Sequence, residues 1–426
     1  MTLRLRVLVS AYACEPNRGS EPGIGWQLVH ALAERLDVWV LTRANNRAVI
    51  EAALEGLSGD DRPRFVYVDL PAWLAALKNR VPGGVSLYYY VWQLVAARVA
   101  RRLHAEQRFD VAHHATFVRY WSPVAVAGLG IPYVIGPVGG GEAAPRSIWP
   151  GIGAAGYVTE IVRDTARWFA ERDPLVRGAL ARASRVLAAT AETKERVERL
   201  GSRRVDVEGV AALSHAEINE IMAAAGERRA AFTFVSVGRL LHWKGFHLGL
   251  QALARMRDVE AEYWIVGDGP FRGRLERLAR ELGVAERVRF LGMRSRAETL
   301  MLMGQCHVLV HPSLHDSGGF VCLEALAAGL PVVCLDLGGP ASMVHPGCAV
   351  TVRPGSVPQV IGDLRDAMQR LLDDRGLWAA MGREGRTWVR DRHEWGVKAD
   401  RIAMALQAAS ASAGDGTGTA DAGLPE

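Results

Sequence analysis

Short β-branched runs separated by amphipathic stretches recur along this chain in two successive series, and that alternation limits the fold more than any other feature. The first series contains LRVLVSA (5–11), DVWVLT (37–42), RFVYVDL (64–70), DVAHHA (110–115), YVIGPV (133–138) and RVLAAT (185–190). The second contains FTFVSVG (232–238), EYWIVGD (262–268), RVRFLG (287–292), VLVHPS (308–313), PVVCLD (331–336) and CAVTV (348–352). Runs of this length between helical patterns predict parallel sheets covered by helices. The class is α/β, and two doubly wound, Rossmann-like domains are expected over 1–205 and 206–391. The polar stretch 201–229 separates them, and a helix over 392–408 is expected to complete the first domain. The tail 409–426, ending SASAGDGTGTADAGLPE, lacks the apolar side chains that offset ordering entropy and is expected to be disordered. Ligands of open α/β sheets bind beyond the carboxyl ends of the strands, so the active site is expected in a central cleft faced by both domains.

A chain of 426 residues exceeds one ordinary core. Its 49% hydrophobic and 23% charged content is that of a globular protein. No apolar run reaches the roughly 18 to 20 residues that a membrane span needs. The N-terminal MTLRLRVLVSAYACEP reads as a first strand rather than a signal peptide, because no small-residue cleavage site precedes polar sequence. A cytoplasmic location is therefore expected. The five cysteines are scattered, without paired metal-ligand spacing, as reduced core thiols would be. A net charge of +5 suits phosphorylated ligands, nucleic acid or anionic lipid. Zinc-finger, basic-zipper and RNA-recognition signatures are all missing, which excludes sequence-reading nucleic-acid partners.

The stretch HPSLHDSGGFVCLEALAAGLPVV (311–333) carries Asp316 and Glu324, with Gly318 and Gly319 between them on the way into an expected helix. Exposed amides at a helix start favour an anion, and a carboxylate one turn further in accepts bonds from sugar hydroxyls. A nucleotide sugar has both groups. The strand FTFVSVG runs into Arg239, and Lys244 follows five residues later. Alone, each would read as a solvated loop charge. Together at one strand end, a planar guanidinium fork and a compact ammonium suit the oxygens of a diphosphate leaving group, without a metal.

VGRLLHWKG (237–245), VGDGP (266–270), FLG (290–292) and the 311–333 stretch together resemble the retaining glycosyltransferases of family 4, which have the GT-B fold. The resemblance covers nearly the whole second domain. It implies transfer of sugar from a nucleoside diphosphate sugar with retained anomeric configuration, with no required metal or cofactor. Carried over by position, it implies that Gly238, Arg239 and Lys244 meet the diphosphate and Glu324 the ribose. Asp316 falls where the family usually has a glutamate, near the reacting centre; the shorter side chain keeps the charge but not the reach. Gly318, Gly319, Phe320 and Val321 would meet the sugar and phosphates, and Gly292, Met293 and Arg294 the base. The expected acceptor is a saccharide or lipid-linked hydroxyl, in polysaccharide or glycoconjugate assembly.

In the first domain, YACEPNRGSEPGIGWQ (12–27) supplies Gly19, Gly23 and Gly25 ahead of a helix expected near Trp26, resembling the family's glycine loop toward the donor phosphates. Strand DVAHHA presents His113 and His114, where the family places a histidine near the reacting sugar. Successive strand residues face opposite sides, and the assignment leans to His114. The loop GPVGGGEAAPR (136–146) offers Gly140, Gly141 and Glu142 on the acceptor side, Glu142 either meeting an acceptor hydroxyl or capping the next helix. Trp73, Tyr88, Tyr89, Tyr90 and Trp92 interleave with Lys78, Arg80, Arg98, Arg101 and Arg102. That pattern fits either a membrane-contacting surface or, at helical spacing, core. A monomer or homodimer is expected.

Other classes fit less well. Gly267, Gly269 and Gly273 of YWIVGDGPFRG imitate a dinucleotide motif, but the next strand, RVRFLGM, ends without the acid that would hold a ribose. A phosphate-binding loop ending in Gly-Lys-Ser or Gly-Lys-Thr is missing too. The remaining alternatives are a GT-B sugar-nucleotide epimerase or hydrolase and a non-catalytic nucleotide-sugar-binding protein.

Overall fold

The computed structural model describes residues 4–55, 61–78, 80, 83–117, 119–256 and 259–414. The chain divides into two compact units. One comprises Met1–Gly141, Arg167–Val210 and Trp395–Glu426; the other comprises Glu142–Ala166 and Ala211–Glu394.

The first unit is built on a seven-stranded sheet. Its strands are β1 (Arg6–Ala11), β2 (Asp37–Arg43), β3 (Arg64–Val68), β4 (Val111–Thr116), β5 (Tyr133–Val138), β6 (Arg185–Ala188) and β7 (Val205–Val207). All pairs are parallel, in the order β3-β2-β1-β4-β5-β6-β7. Every residue of β4 and β5 is buried, because helices cover both faces of a parallel sheet and its central strands meet no water. The helix Gly84–Gln107 supplies one cover. Tyr88, Tyr89 and Trp92 point into the core beside Tyr12 and Tyr120, so the aromatics of 73–102 are largely packing residues. Trp73, 67% exposed, is the exception.

The helix Trp395–Gly414 packs on β4, β5 and the helix Ser20–Ala33. It runs through 409–414, part of the stretch expected to be disordered. Ala405, Leu406 and Ala409 are buried on it, and that apolar stripe carries the helix into the small-residue segment. The rest of the expected tail lies outside the described residues. Lys398 on this helix donates to the Gly209 carbonyl, and Arg401 pairs with both oxygens of Glu208 at 2.8 Å.

The second unit has a six-stranded sheet of β8 (Phe232–Val237), β9 (Ala261–Val266), β10 (Val288–Gly292), β11 (Val308–His311), β12 (Val332–Leu335) and β13 (Ala349–Val352). The order is β10-β9-β8-β11-β12-β13, again all parallel. In both sheets the strand order reverses beside the first strand, between β1 and β4 and between β8 and β11. The loops leaving the two strands at such a point diverge and open a crevice at their carboxyl ends. Segment Glu142–Ala166, expected with the first domain, joins this unit because Ala144, Ile148, Trp149 and Ile152 are buried in the core formed by Phe232, Phe246 and Leu248.

The cysteines Cys14, Cys306, Cys322, Cys334 and Cys348 are free and buried. Among the described residues no helix is long and apolar enough to cross a membrane.

Candidate functional site

In the second unit the loops leaving β8 and β11 bring the expected donor residues together. After β8 the chain turns at Gly238 (φ +146°), exposes Arg239, and forms a short turn His242–Lys244 that ends on Gly245. Gly245 adopts φ +68°, and a Cβ there would lie 1.9 Å from the carbonyl oxygen of Pro312 in the loop after β11. Only glycine allows this approach, so the two loops are locked together. The β11 loop continues through Asp316 and Gly318 to Gly319, whose φ of +66° starts the helix Phe320–Ala327. Gly318 N–H donates to Asp316 Oδ1 at 3.1 Å, and Gly339 N–H donates to the Asp316 carbonyl at 2.5 Å, fixing the bend ahead of the helix.

Across the two loops Lys244 Nζ donates to Asp316 Oδ2 at 2.5 Å, with both side chains about one-fifth exposed (19% and 21%). His311 Nε2, fully buried on β11, lies 3.6 Å from the same oxygen. Burial alone would raise the Asp316 carboxyl, but His311 and Lys244 outweigh it and hold the group well below the usual carboxylate range. Burial pushes the His311 imidazole down. The result is an ionised carboxylate and an ammonium group at the first turn of a helix whose leading amides have no intrahelical acceptor. Arg239 stands on the same loop with no carboxylate partner among the described residues. Such a set of donors has the charge and geometry to receive an anion.

Glu324 lies one turn into the helix Phe320–Ala327 and pairs with Arg296 at 3.2 Å; Arg296 also pairs with Glu217 at 3.2 Å. Burial raises the Glu324 carboxyl, with Arg296 opposing. Gly292 ends β10, Met293 and Arg294 follow it, and Met293 is 69% exposed.

Four supporting residues, Glu160, His242, His315 and Ser317, are not among those expected from the sequence. Glu160, on the helix Gly153–Ala170, is buried and accepts from His315 Nε2 at 2.9 Å and His242 Nε2 at 3.1 Å. His315 adjoins Asp316, and His242 opens the turn that holds Lys244. Burial would raise the Glu160 carboxyl, but the bond from His315, then that from His242 and the nearby charge of Arg163, bring it down to about 2. The fourth is Ser317, whose hydroxyl donates to Glu142 Oε2 at 2.7 Å. Glu142 is 2% exposed and braces the loop beside Asp316.

The first-unit expectations fare differently. Gly23 and Gly25 lie inside the helix Ser20–Ala33 rather than in a loop before it. A Cβ at either would lie 2.0 Å from a backbone carbonyl, of Arg18 and Ala13 respectively, so these glycines let the 13–18 segment fold down on the helix. His113 and His114 sit within β4 rather than at an open strand end, 0% and 1% exposed. His113 Nε2 lies 2.6 Å from the Gly136 carbonyl oxygen and His114 Nε2 lies 3.2 Å from the Tyr89 hydroxyl. Burial pushes their pKa values down to about 4 and about 3, so both rings are neutral near pH 7. Gly140 and Gly141 give close passage, since added Cβ atoms would meet Trp121 Nε1 at 2.8 Å and Thr193 Cα at 2.4 Å.

A pair of Rossmann-like units, the second with a cation, a carboxylate and a glycine-opened helix at the β8/β11 reversal, is the architecture of a GT-B protein. Family models agree along the chain. "Glycosyl transferase 4-like domain" matches residues 20–211, and "Glycosyl transferases group 1" matches residues 217–388. The chain belongs to the group 1 glycosyltransferases. It is 27% identical to 2-deoxystreptamine glucosyltransferase of Streptomyces kanamyceticus over 76% of this chain and 83% of that one. It is 35% identical to the lipopolysaccharide core biosynthesis glycosyltransferase LpsD of Rhizobium meliloti over 48% of this chain and 57% of the relative. Among solved structures, the Anabaena protein HepE, crystallised in complex with UDP, superposes with a TM-score of 0.58 at 18% identity, covering 95% of this chain and all of that one, 100%.

Proposed function

We propose that this glycosyltransferase moves a sugar from a nucleoside diphosphate sugar to a hydroxyl of a saccharide or lipid-linked acceptor, with retained anomeric configuration and without a required metal. The observation that carries the reading is the Lys244–Asp316 pair at the mouth of the helix Phe320–Ala327. The diphosphate enters against Lys244, Arg239 and the amides of Gly318 to Val321. Glu324 exchanges its contact with Arg296 for the ribose hydroxyls, and the base lies along Gly292 to Arg294. As the bond from the anomeric carbon to phosphate oxygen breaks, charge grows on the diphosphate, where fixed cations are worth most. The acceptor hydroxyl attacks from the face the phosphate leaves, and the phosphate oxygen takes its proton. Asp316, already ionised, gives no proton; it orients Lys244 and offsets positive charge on the sugar ring. Two likenesses support this assignment: to a protein that binds UDP and to a lipopolysaccharide core transferase.

The test is turnover of a panel of nucleoside diphosphate sugars with and without saccharide acceptors. A transferase consumes donor quickly only when acceptor is present. Acceptor-independent release of free sugar would favour a hydrolase or epimerase, and binding without turnover a binding protein. Turnover that survives prolonged treatment with EDTA is the expected result for the metal-free reading.

A further inference from the structure

The turn that holds Lys244 runs on into the helix Phe246–Ala254, and beside that helix lies a pocket that neither Lys244 nor Asp316 lines. His247 and Gln251 stand one turn apart on this helix and share a face; Arg274, Arg277 and Glu281 share a face of the helix Arg272–Glu281. Together with Gly151 they line a volume of about 390 Å³, all of it within the second unit. That is the size of a site for a small molecule. Gly151 has φ +104°, and a Cβ there would lie 3.2 Å from His247 Nε2, so glycine lets the chain pass close to the ring.

His247 is 3% exposed, and neither of its ring nitrogens has a hydrogen-bond partner. Burial, then the charge of Arg274, pushes its pKa down to about 4, so near pH 7 the neutral ring has one nitrogen to donate and one to accept. Buried polar groups are nearly always paired, and an enclosed imidazole with both nitrogens unpaired marks a place where the groups of a ligand fit. Arg274 and Arg277 are exposed and make no ion pair among the described residues. The Arg274 guanidinium carbon lies 5.4 Å from the centre of the Phe271 ring, and its Nη1 would lie 2.6 Å from a Cβ on Gly153, which holds it at the pocket. Two guanidinium forks match a phosphate group, whereas an imidazole, an amide and a carboxylate are partners for hydroxyls.

We propose that this pocket binds a small phosphorylated polyol, a phosphate monoester of a sugar or of glycerol, with the phosphate on Arg274 and Arg277 and the hydroxyls on His247, Gln251 and Glu281. Glu281 repels a bare phosphate ion but accepts from hydroxyl groups, which favours the ester over the inorganic ion. The inference stands apart from the sugar-transfer reading, because it concerns binding in the absence of donor and acceptor by residues outside that site.

The experiment is titration calorimetry of the full chain with glucose 6-phosphate, mannose 6-phosphate and glycerol 3-phosphate, against inorganic phosphate and glucose. Wild type binds at least one of the esters, and more tightly than it binds either inorganic phosphate or glucose. Arg274→Ala/Arg277→Ala loses about tenfold or more in that affinity, as loss of charge-assisted hydrogen bonds does, and Lys244→Ala retains it. His247→Phe keeps the bulk of the ring without its nitrogens and loses the preference for the ester over inorganic phosphate. The two arginines are exposed, so their variant keeps the circular dichroism and melting of wild type, and it decides the matter if His247→Phe does not fold. Wild type that binds none of the esters, or binds them no more tightly than inorganic phosphate, would overturn the proposal. So would an arginine variant that binds as wild type does, or binding that disappears in Lys244→Ala, since the ligand would then sit in the candidate donor site.

Discussion

Replacing Glu160 with alanine removes one carboxylate from beneath both loops of the candidate site. Its side chain is 3% exposed and takes ring N–H groups from His315 at 2.9 Å and His242 at 3.1 Å, with Arg163 Nη1 at 3.5 Å. A hydrogen bond to a charged acceptor contributes about 1.5–3 kcal/mol, and truncation leaves two enclosed donors without a partner. The expected loss is about 3–5 kcal/mol in urea denaturation of the full chain. Glu160→Gln keeps one carbonyl in place and should lose about half as much. The carboxyl is held at about 2 against an ordinary 4.5. That difference of about 2.5 units corresponds to about 3 kcal/mol at 1.36 kcal/mol per unit. Because the folded value is the lower one, this stability is complete above pH 4.5 and is lost as pH falls toward 2. The wild type should therefore weaken across that interval more steeply than Glu160→Gln. Turnover should fall in Glu160→Ala as well, since His242 lies two residues before Lys244 and His315 adjoins Asp316. A Glu160→Ala protein within about 0.5 kcal/mol of wild type, with unchanged kcat, would refute the bracing role.

Lys244→Ala should cut kcat by ~10²–10³ and weaken nucleoside diphosphate binding in calorimetry, as loss of a fixed charge at a developing anion does; unchanged kinetics would remove Lys244 from the site. Gly245→Ala, at φ +68° and with its new methyl 1.9 Å from the Pro312 oxygen, should cost more than about 2 kcal/mol in a thermal melt and reduce turnover. Burial pushes the Lys398 ammonium down to about 8 from 10.5. The unfolded chain holds that proton more tightly, so the penalty is present below pH 8 and stability rises from about pH 8 to 10.5. Lys398→Met, with Glu208 still paired to Arg401, should abolish that rise and stabilise the protein by about 1–3 kcal/mol at pH 7, as read from the melting midpoint.

Twelve of the strands announce themselves in the sequence as short apolar runs between helical stretches, and the central ones are buried on both faces while β3, β10 and β13 are partly exposed. The missing one, β7, spans only Val205–Val207 and is too short to show a period. The cations and carboxylates of the second unit were equally legible, since Arg239, Lys244, Asp316 and Glu324 stand in local motifs at strand ends and a helix start. What was not legible depends on distant partners. In TEIVRD, Glu160 looks like any exposed helical acid, and only partners 82 and 155 residues away make it a buried brace. Gly23 and Gly25 suggested a ligand loop because glycine permits close approach, but the approaching group is the chain's own backbone. His113 and His114 end a β-branched run in sequence, whereas β4 continues to Thr116 and encloses both rings.

The way the chain threads its two units governs how it can be taken apart. The first unit needs three separate stretches and the second needs two, with the junctions at 141/142, 166/167, 210/211 and 394/395. No single cut yields two autonomous halves. A fragment ending at 394 would strip the first sheet of the helix that covers β4 and β5, and one beginning at 211 would leave Glu160 and Glu142 behind, along with the grip they exert on His242, His315 and Ser317. Laboratory dissection of the candidate site must therefore graft 142–166 onto 211–394 or keep the polypeptide intact.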